Sequence, residues 1–192
     1  MKFKLVHISI SMLLILLLCG CKHDYAPKPR GYFRIDFPEK NYLLFQNTFP
    51  YRFEYPVYAQ VVPDKEQNAE PFWIDINIPG NKAKFHLSYK PVKGNLVKLI
   101  EDSRELAYKH TIKAMSINEE TFINSQAGVY GTIYYIKGNA ASPMQFYMTD
   151  STSHFLRGSF YISEVPNYDS LMPVIQFLET DMIHLIKTLN WN

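Results

Sequence analysis

The sequence has no cysteine beyond residue 21, and its two cysteines are Cys19 and Cys21. A disulfide framework, a thiolate metal site and a cysteine nucleophile are therefore excluded from the body of the chain. Glycine is scarce at 8 residues, and none of them builds a phosphate-cradling loop or a Gly-x-Ser-x-Gly elbow. An excess of charge of one sign is also missing. Removing Lys2 and Lys4 from the 20 basic residues leaves 18, against 18 acidic ones. Nucleic-acid binding has no electrostatic support in such a chain. After Cys21 no apolar run approaches the roughly 20 residues a membrane-spanning helix needs. His23, His86, His154 and His184 show no His-x-x-x-His spacing, so neither a metal nor another cofactor is expected.

What the N-terminus does contain is Lys2 and Lys4, an apolar run from Ile8 to Leu18, and then Leu18-Cys19-Gly20-Cys21. A basic start, a short apolar segment and a small residue before the cut describe a secretory signal. Leu three positions before a Cys, with Gly directly before it, resembles a lipobox. Residues 1–20 are thus expected to be a lipoprotein signal peptide, and Cys21 the lipidated first residue of the mature chain. Several acyl chains, at about 0.8 kcal/mol per buried methylene, hold a protein on a membrane much more firmly than one chain does. The expected state is anchored to the membrane through Cys21, without spanning it.

Residues 21–40 form a distinct strip carrying three prolines, which favour extended backbone. Tyr32, Phe33, Ile35 and Phe37 make it too apolar for a solvated tether. Two readings follow. Either these side chains pack on the domain's own sheet while Lys28, Arg30 and Arg34 are solvated or face anionic head groups, or Arg30, Tyr32, Phe33 and Arg34 bind a partner.

Residues 41–192 read as one α+β domain. Tyr51 to Val57, Phe72 to Ile78 and Ala83 to Tyr89 alternate apolar and polar residues as half-buried strands do, the last two joined by a Pro79-Gly80-Asn81 turn. Val129 to Ile136, Met144 to Thr149 and Phe155 to Ile162 are rich in Tyr, Phe and Ile and suggest an antiparallel meander. A helix capped by Asn95 is predicted to run to near Asn118, and a second from about Ser170 to Leu189 with Asp169 or Ser170 as cap and Pro173 in its first turn. The expected fold is a mainly antiparallel sheet of about six or seven strands packed with two long helices. In element order it resembles the PsbP/Mog1-like α/β/α sandwiches.

Ser103 and His110, with Asp102 beside the serine, invite comparison with a catalytic triad. Seven residues of helix separate them by about 10 Å, beyond the hydrogen-bond reach a nucleophile and its base require. They are expected instead to be hydrogen-bonded polar residues beneath the sheet. His184 is expected at a helix edge or in the C-terminal turn, where it favours the dipole.

Pro27-Lys-Pro-Arg-Gly-Tyr-Phe-Arg-Ile-Asp-Phe-Pro-Glu-Lys40, Trp73-Ile-Asp-Ile, Phe85-His-Leu-Ser-Tyr-Lys90 and Leu99-Ile-Glu-Asp-Ser103 through His110 together resemble the gliding-motility lipoprotein GldD family of Bacteroidetes. The resemblance implies a non-catalytic accessory role in gliding motility and the associated type IX secretion machinery, partly by stabilising other gliding or secretion lipoproteins. It supplies no catalytic residue. The expected location is the periplasmic face of the outer membrane, with the inner membrane and the cell surface as alternatives. A second reading is an envelope lipoprotein that binds a glycan or peptide on aromatics such as Trp73 and Tyr134.

Overall fold

The computed structural model describes residues 35–164 and 167–192; Cys21, Arg30, Tyr32, Phe33 and Arg34 lie outside them. In chain order the strands are β1 (Tyr42–Phe45), β2 (Tyr51–Pro56), β3 (Gln60–Pro63), β4 (Ile74–Ile78) and β5 (Ala83–Pro91). Helix α1 (Leu96–Tyr108) follows, then β6 (Ala114–Asn124), β7 (Val129–Gly138), β8 (Met144–Thr149) and β9 (His154–Ile162). Helix α2 (Tyr168–Thr188) and a two-residue β10 (Asn190–Trp191) close the chain.

Seven strands form an antiparallel sheet in the order β3-β4-β5-β9-β8-β7-β6, and β1-β2-β10 form a second, three-stranded sheet. The alternation read from the sequence decides which face is buried. Ile74, Ile76 and Ile78 point to one side of β4, and the pairings Ile76 with Phe85, Phe85 with Phe160 and Met144 with Phe160 carry that side across the sheet. Against it lie Ile175, Leu178, Met182, Leu185 and Ile186 of α2, together with Tyr51 and Phe53 of β2, all in one buried cluster. Burying each aliphatic or phenyl side chain contributes about 1.5–3 kcal/mol. Gly158 pairs with both Leu87 and Phe146, and a Cβ there would lie 2.1 Å from the Phe146 ring. Its missing side chain is the space the phenyl ring fills.

The opposite face carries α1, whose buried side is narrow: Leu99, Ser103 and Ala107. α1 packs over β8 and β9. It ends at Tyr108, earlier than the sequence pattern predicts, and one 3₁₀ turn over Lys109–Ile112 leads into β6. The predicted helix end is in fact an edge strand. Its mostly exposed residues show no apolar alternation that would reveal it. Asn95 occupies the cap position, but its side chain accepts the Lys93 N–H at 2.8 Å and makes no bond to the helix. α2 begins earlier than predicted. Asn167 caps it by accepting the Ser170 N–H, which leaves Pro173 inside the helix beyond its first turn, where it removes an interior hydrogen bond.

Candidate functional site

The described end of the N-terminal strip is joined to α2. Phe37 stacks on Phe177 with ring centroids 4.2 Å apart. Three residues later, Lys40 Nζ donates to Asp181 Oδ2 at 2.7 Å, to the Phe177 carbonyl at 2.8 Å and to the Tyr58 hydroxyl at 2.9 Å. Asp181 is completely buried and also accepts from the hydroxyls of Tyr42 and Tyr58. Burial lowers the Lys40 pKa and the Asp181 carboxylate pulls it back. Burial, reinforced by the same carboxylate, pushes Tyr42 up to about 12. Among the strip's aromatics, Phe37 thus lies against a helix, whereas one of the two readings of the sequence placed such side chains on the sheet.

A second feature lies on the sheet face that α1 only partly covers. Between α1 and strands β5 and β9, with Trp73 just before β4, runs a groove of about 230 Å³. One wall is the Trp73 indole, whose Nε1 donates to the Tyr89 carbonyl at 2.8 Å. Lys90 Nζ stands 5.4 Å from the centre of that indole and pairs with Glu70. Leu99, Leu106 and Phe155 supply apolar surface, and Ser88, Asp102 and Arg157 supply polar groups. Asp102 is engaged by Lys98 at 3.2 Å. His86, also on the wall, holds Asp75 Oδ1 at 2.9 Å, while Lys84 takes the other oxygen at 3.0 Å. Asp64 Oδ2 is buried 3.9 Å from His86 Nδ1, with no hydrogen-bond donor among the described residues.

Arg157 is the one cation of this groove with no acidic partner among the described residues. Its Nη2 donates to Gln145 Oε1 at 2.7 Å, and the Tyr161 phenol lies beside it. Burial lowers its pKa, an effect only partly offset by Tyr161. Nothing in the sequence marks this residue, because the helix that lines the groove with it, Leu96–Tyr108, lies far earlier in the chain.

Ser103 lines the groove, but it is not paired with His110. Its Oγ donates to the Leu99 carbonyl one turn back at 2.8 Å. His110 stands in the 3₁₀ turn, its pKa lowered first by burial and then by Arg157. The expected polar pair is therefore two separate residues, one satisfied by its own helix. His184 binds Glu54 Oε2 at 2.6 Å and stacks on Tyr42. Tyr134 is only 2% exposed, and β5, β9 and β8 lie between its strand and β4. Trp73 and Tyr134 do not form one aromatic platform. A larger cleft of about 700 Å³ separates β6 and β7 from α2 and is lined by Tyr135, Lys137, Met172 and Glu179. Among the described residues, no helix is long and apolar enough to cross a membrane.

The family model for the gliding motility lipoprotein GldD matches residues 22–191. The chain belongs to the GldD family. Membership makes it a lipid-anchored envelope protein involved in gliding motility. A search of curated proteins finds no match. The fold is similar to the solution structure of cyanobacterial PsbP (CyanoP) from Synechocystis sp. PCC 6803, with 12% sequence identity and a TM-score of 0.50. That likeness covers 87% of this chain and 100% of the other. It bears out the PsbP-like element order and, at such identity, speaks to fold alone.

Proposed function

We propose that this chain is a non-catalytic accessory lipoprotein of the gliding apparatus and its type IX secretion machinery, acting by binding or stabilising other lipoproteins of that apparatus. The observation that carries the reading is the family match over residues 22–191, which begins directly after Cys21. In this reading Cys21 carries the acyl chains and holds the domain at the periplasmic face of the outer membrane. Arg30, Tyr32, Phe33 and Arg34 are the partner-binding residues of the strip. Arg and Tyr offer charge-assisted bonds and broad contact area at one place, the composition of binding hot spots. The non-catalytic assignment is supported by Ser103, whose hydroxyl is committed to the Leu99 carbonyl of its own helix.

The reading is tested by deleting the gene and restoring it with wild type or Cys21→Ala. The deletion strain is expected to lose gliding and secretion, and to contain less of the partner lipoproteins. Cys21→Ala is expected to incorporate no fatty-acid label and to leave the membrane fraction. Normal gliding in the deletion strain defeats the accessory role, and labelled Cys21→Ala protein defeats the anchor. Protease digestion of the domain on intact cells defeats the periplasmic placement.

A further inference from the structure

We propose that the groove between α1 and the sheet binds a carboxylate-bearing segment of a partner protein, with an Asp or Glu side chain seated on Arg157. This deepens the partner-binding reading and rests on it.

A guanidinium has five N–H donors and stays protonated, so when withdrawn from water it normally meets a carboxylate. Arg157 is largely covered, yet the described residues give it only the Gln145 amide oxygen and the Tyr161 phenol. Among the described residues, the other ions lining the groove have their counter-charges: Lys90 has Glu70 and Asp102 has Lys98, while the His86 imidazole is hydrogen-bonded to Asp75. The groove thus presents an unbalanced positive charge at one defined place, the Arg157 guanidinium. Ser88 lines the same groove and offers a hydroxyl.

The walls decide which anion. Trp73 on one side and Leu99, Leu106 and Phe155 around the cavity are apolar or aromatic, which suits a carboxylate on an aliphatic stem better than a hydrated phosphate. About 230 Å³ admits one or two side chains. An acidic residue with an apolar neighbour therefore fits, its carboxylate taking the bidentate geometry that arginine favours and its neighbour covering the indole.

The test uses the full lipidated chain in detergent with Trp191→Phe, so that Trp73 is the sole indole among the two tryptophans of the sequence. The probes are acetyl-Leu-Glu-Leu-amide and the same tripeptide with Gln in place of Glu. The Glu peptide is expected to change Trp73 emission saturably and to bind about tenfold tighter than the Gln peptide, equivalent to about 1.4 kcal/mol. Arg157→Gln should abolish that preference. Should Arg157→Gln unfold, Leu106→Glu decides the matter: Leu106 is 38% exposed at the groove, and a carboxylate there should occupy Arg157 and exclude the peptide. Equal affinity for the two peptides, no saturable change with either, or undiminished binding by Leu106→Glu overturns the proposal. Normal gliding by a Leu106→Glu strain at wild-type protein level also overturns it. The accessory role would survive that result, because it stands or falls with the deletion strain.

Discussion

Lys40 and Asp181 stand 141 positions apart in the chain and meet in a 2.7 Å ion pair whose carboxylate is wholly buried. The pair ties the chain entering the domain to the helix that nearly ends it. Breaking a buried pair by removing one partner leaves the other charge uncompensated and costs about 3–5 kcal/mol. Lys40 keeps 27% exposure, so Lys40→Met and Asp181→Asn should each fall near the lower end of that range in urea unfolding. Lys40→Met with Asp181→Leu should be clearly less destabilising than the sum of the single changes. Strict additivity would show that the two charges do not interact.

Glu179 gives a pH signature of the opposite sign to the usual carboxylate. Burial raises its pKa above the ordinary 4.5, and Lys137 only partly opposes that. The folded state therefore holds this proton more tightly than the unfolded chain, and stability falls as pH rises from about 4.5 through the raised folded value. Glu179→Gln should raise the thermal midpoint at pH 7, and the gain should vanish below the unfolded pKa. A midpoint unchanged at pH 7 would place the carboxyl in water.

Gly158 is a steric prediction. A methyl group there would meet Phe146 Cε1 at 2.1 Å and Cζ at 2.3 Å, both within the core. Gly158→Ala should cost about 1–3 kcal/mol as overpacking. Phe146→Leu in the same chain should recover part of the loss, because the shorter side chain leaves the space that the new methyl takes. Equal destabilisation in the single and double variants would point to backbone rather than ring conflict.

The strands that build the core were legible in two ways: the alternating stretches at Tyr51, Phe72 and Ala83 correspond to β2, β4 and β5, and the stretches rich in Tyr, Phe and Ile at Val129, Met144 and Phe155 correspond to β7, β8 and β9. β1, β3, β6 and β10 were not. They are edge or very short elements whose side chains face water on much of their surface, as Met115 at 82% and Ile123 at 68% exposure show for β6. Period-two patterning appears only where one face is buried. The groove was half legible. Trp73 and Ser103 stood out by residue type, but Arg157, between Leu156 and Gly158 on β9, reads as an ordinary solvated position, since the helix that lines the groove with it lies far earlier in the chain. Lys40 was hidden for the same reason, since its partner lies at the far end of the sequence.

The strip upstream of Lys40 separates recognition from packing. Phe37 stacks on Phe177 and Lys40 is seated on Asp181, so the segment from Phe37 onward is part of the domain's own structure. Phe37→Ala should lower the thermal midpoint by removing an aromatic pair worth about 0.5–1.5 kcal/mol beyond its area burial. Arg30→Ala with Arg34→Ala should do something different. If those guanidiniums meet a partner, the double variant should stop gliding and reduce partner abundance while lipidation and membrane location persist. Its thermal midpoint should stay within the range of a surface change, about 0.5 kcal/mol. The comparison of the two variants carries the test. A double arginine variant that glides normally at wild-type protein level removes partner recognition from the strip, and one that unfolds like Phe37→Ala assigns the arginines to packing instead.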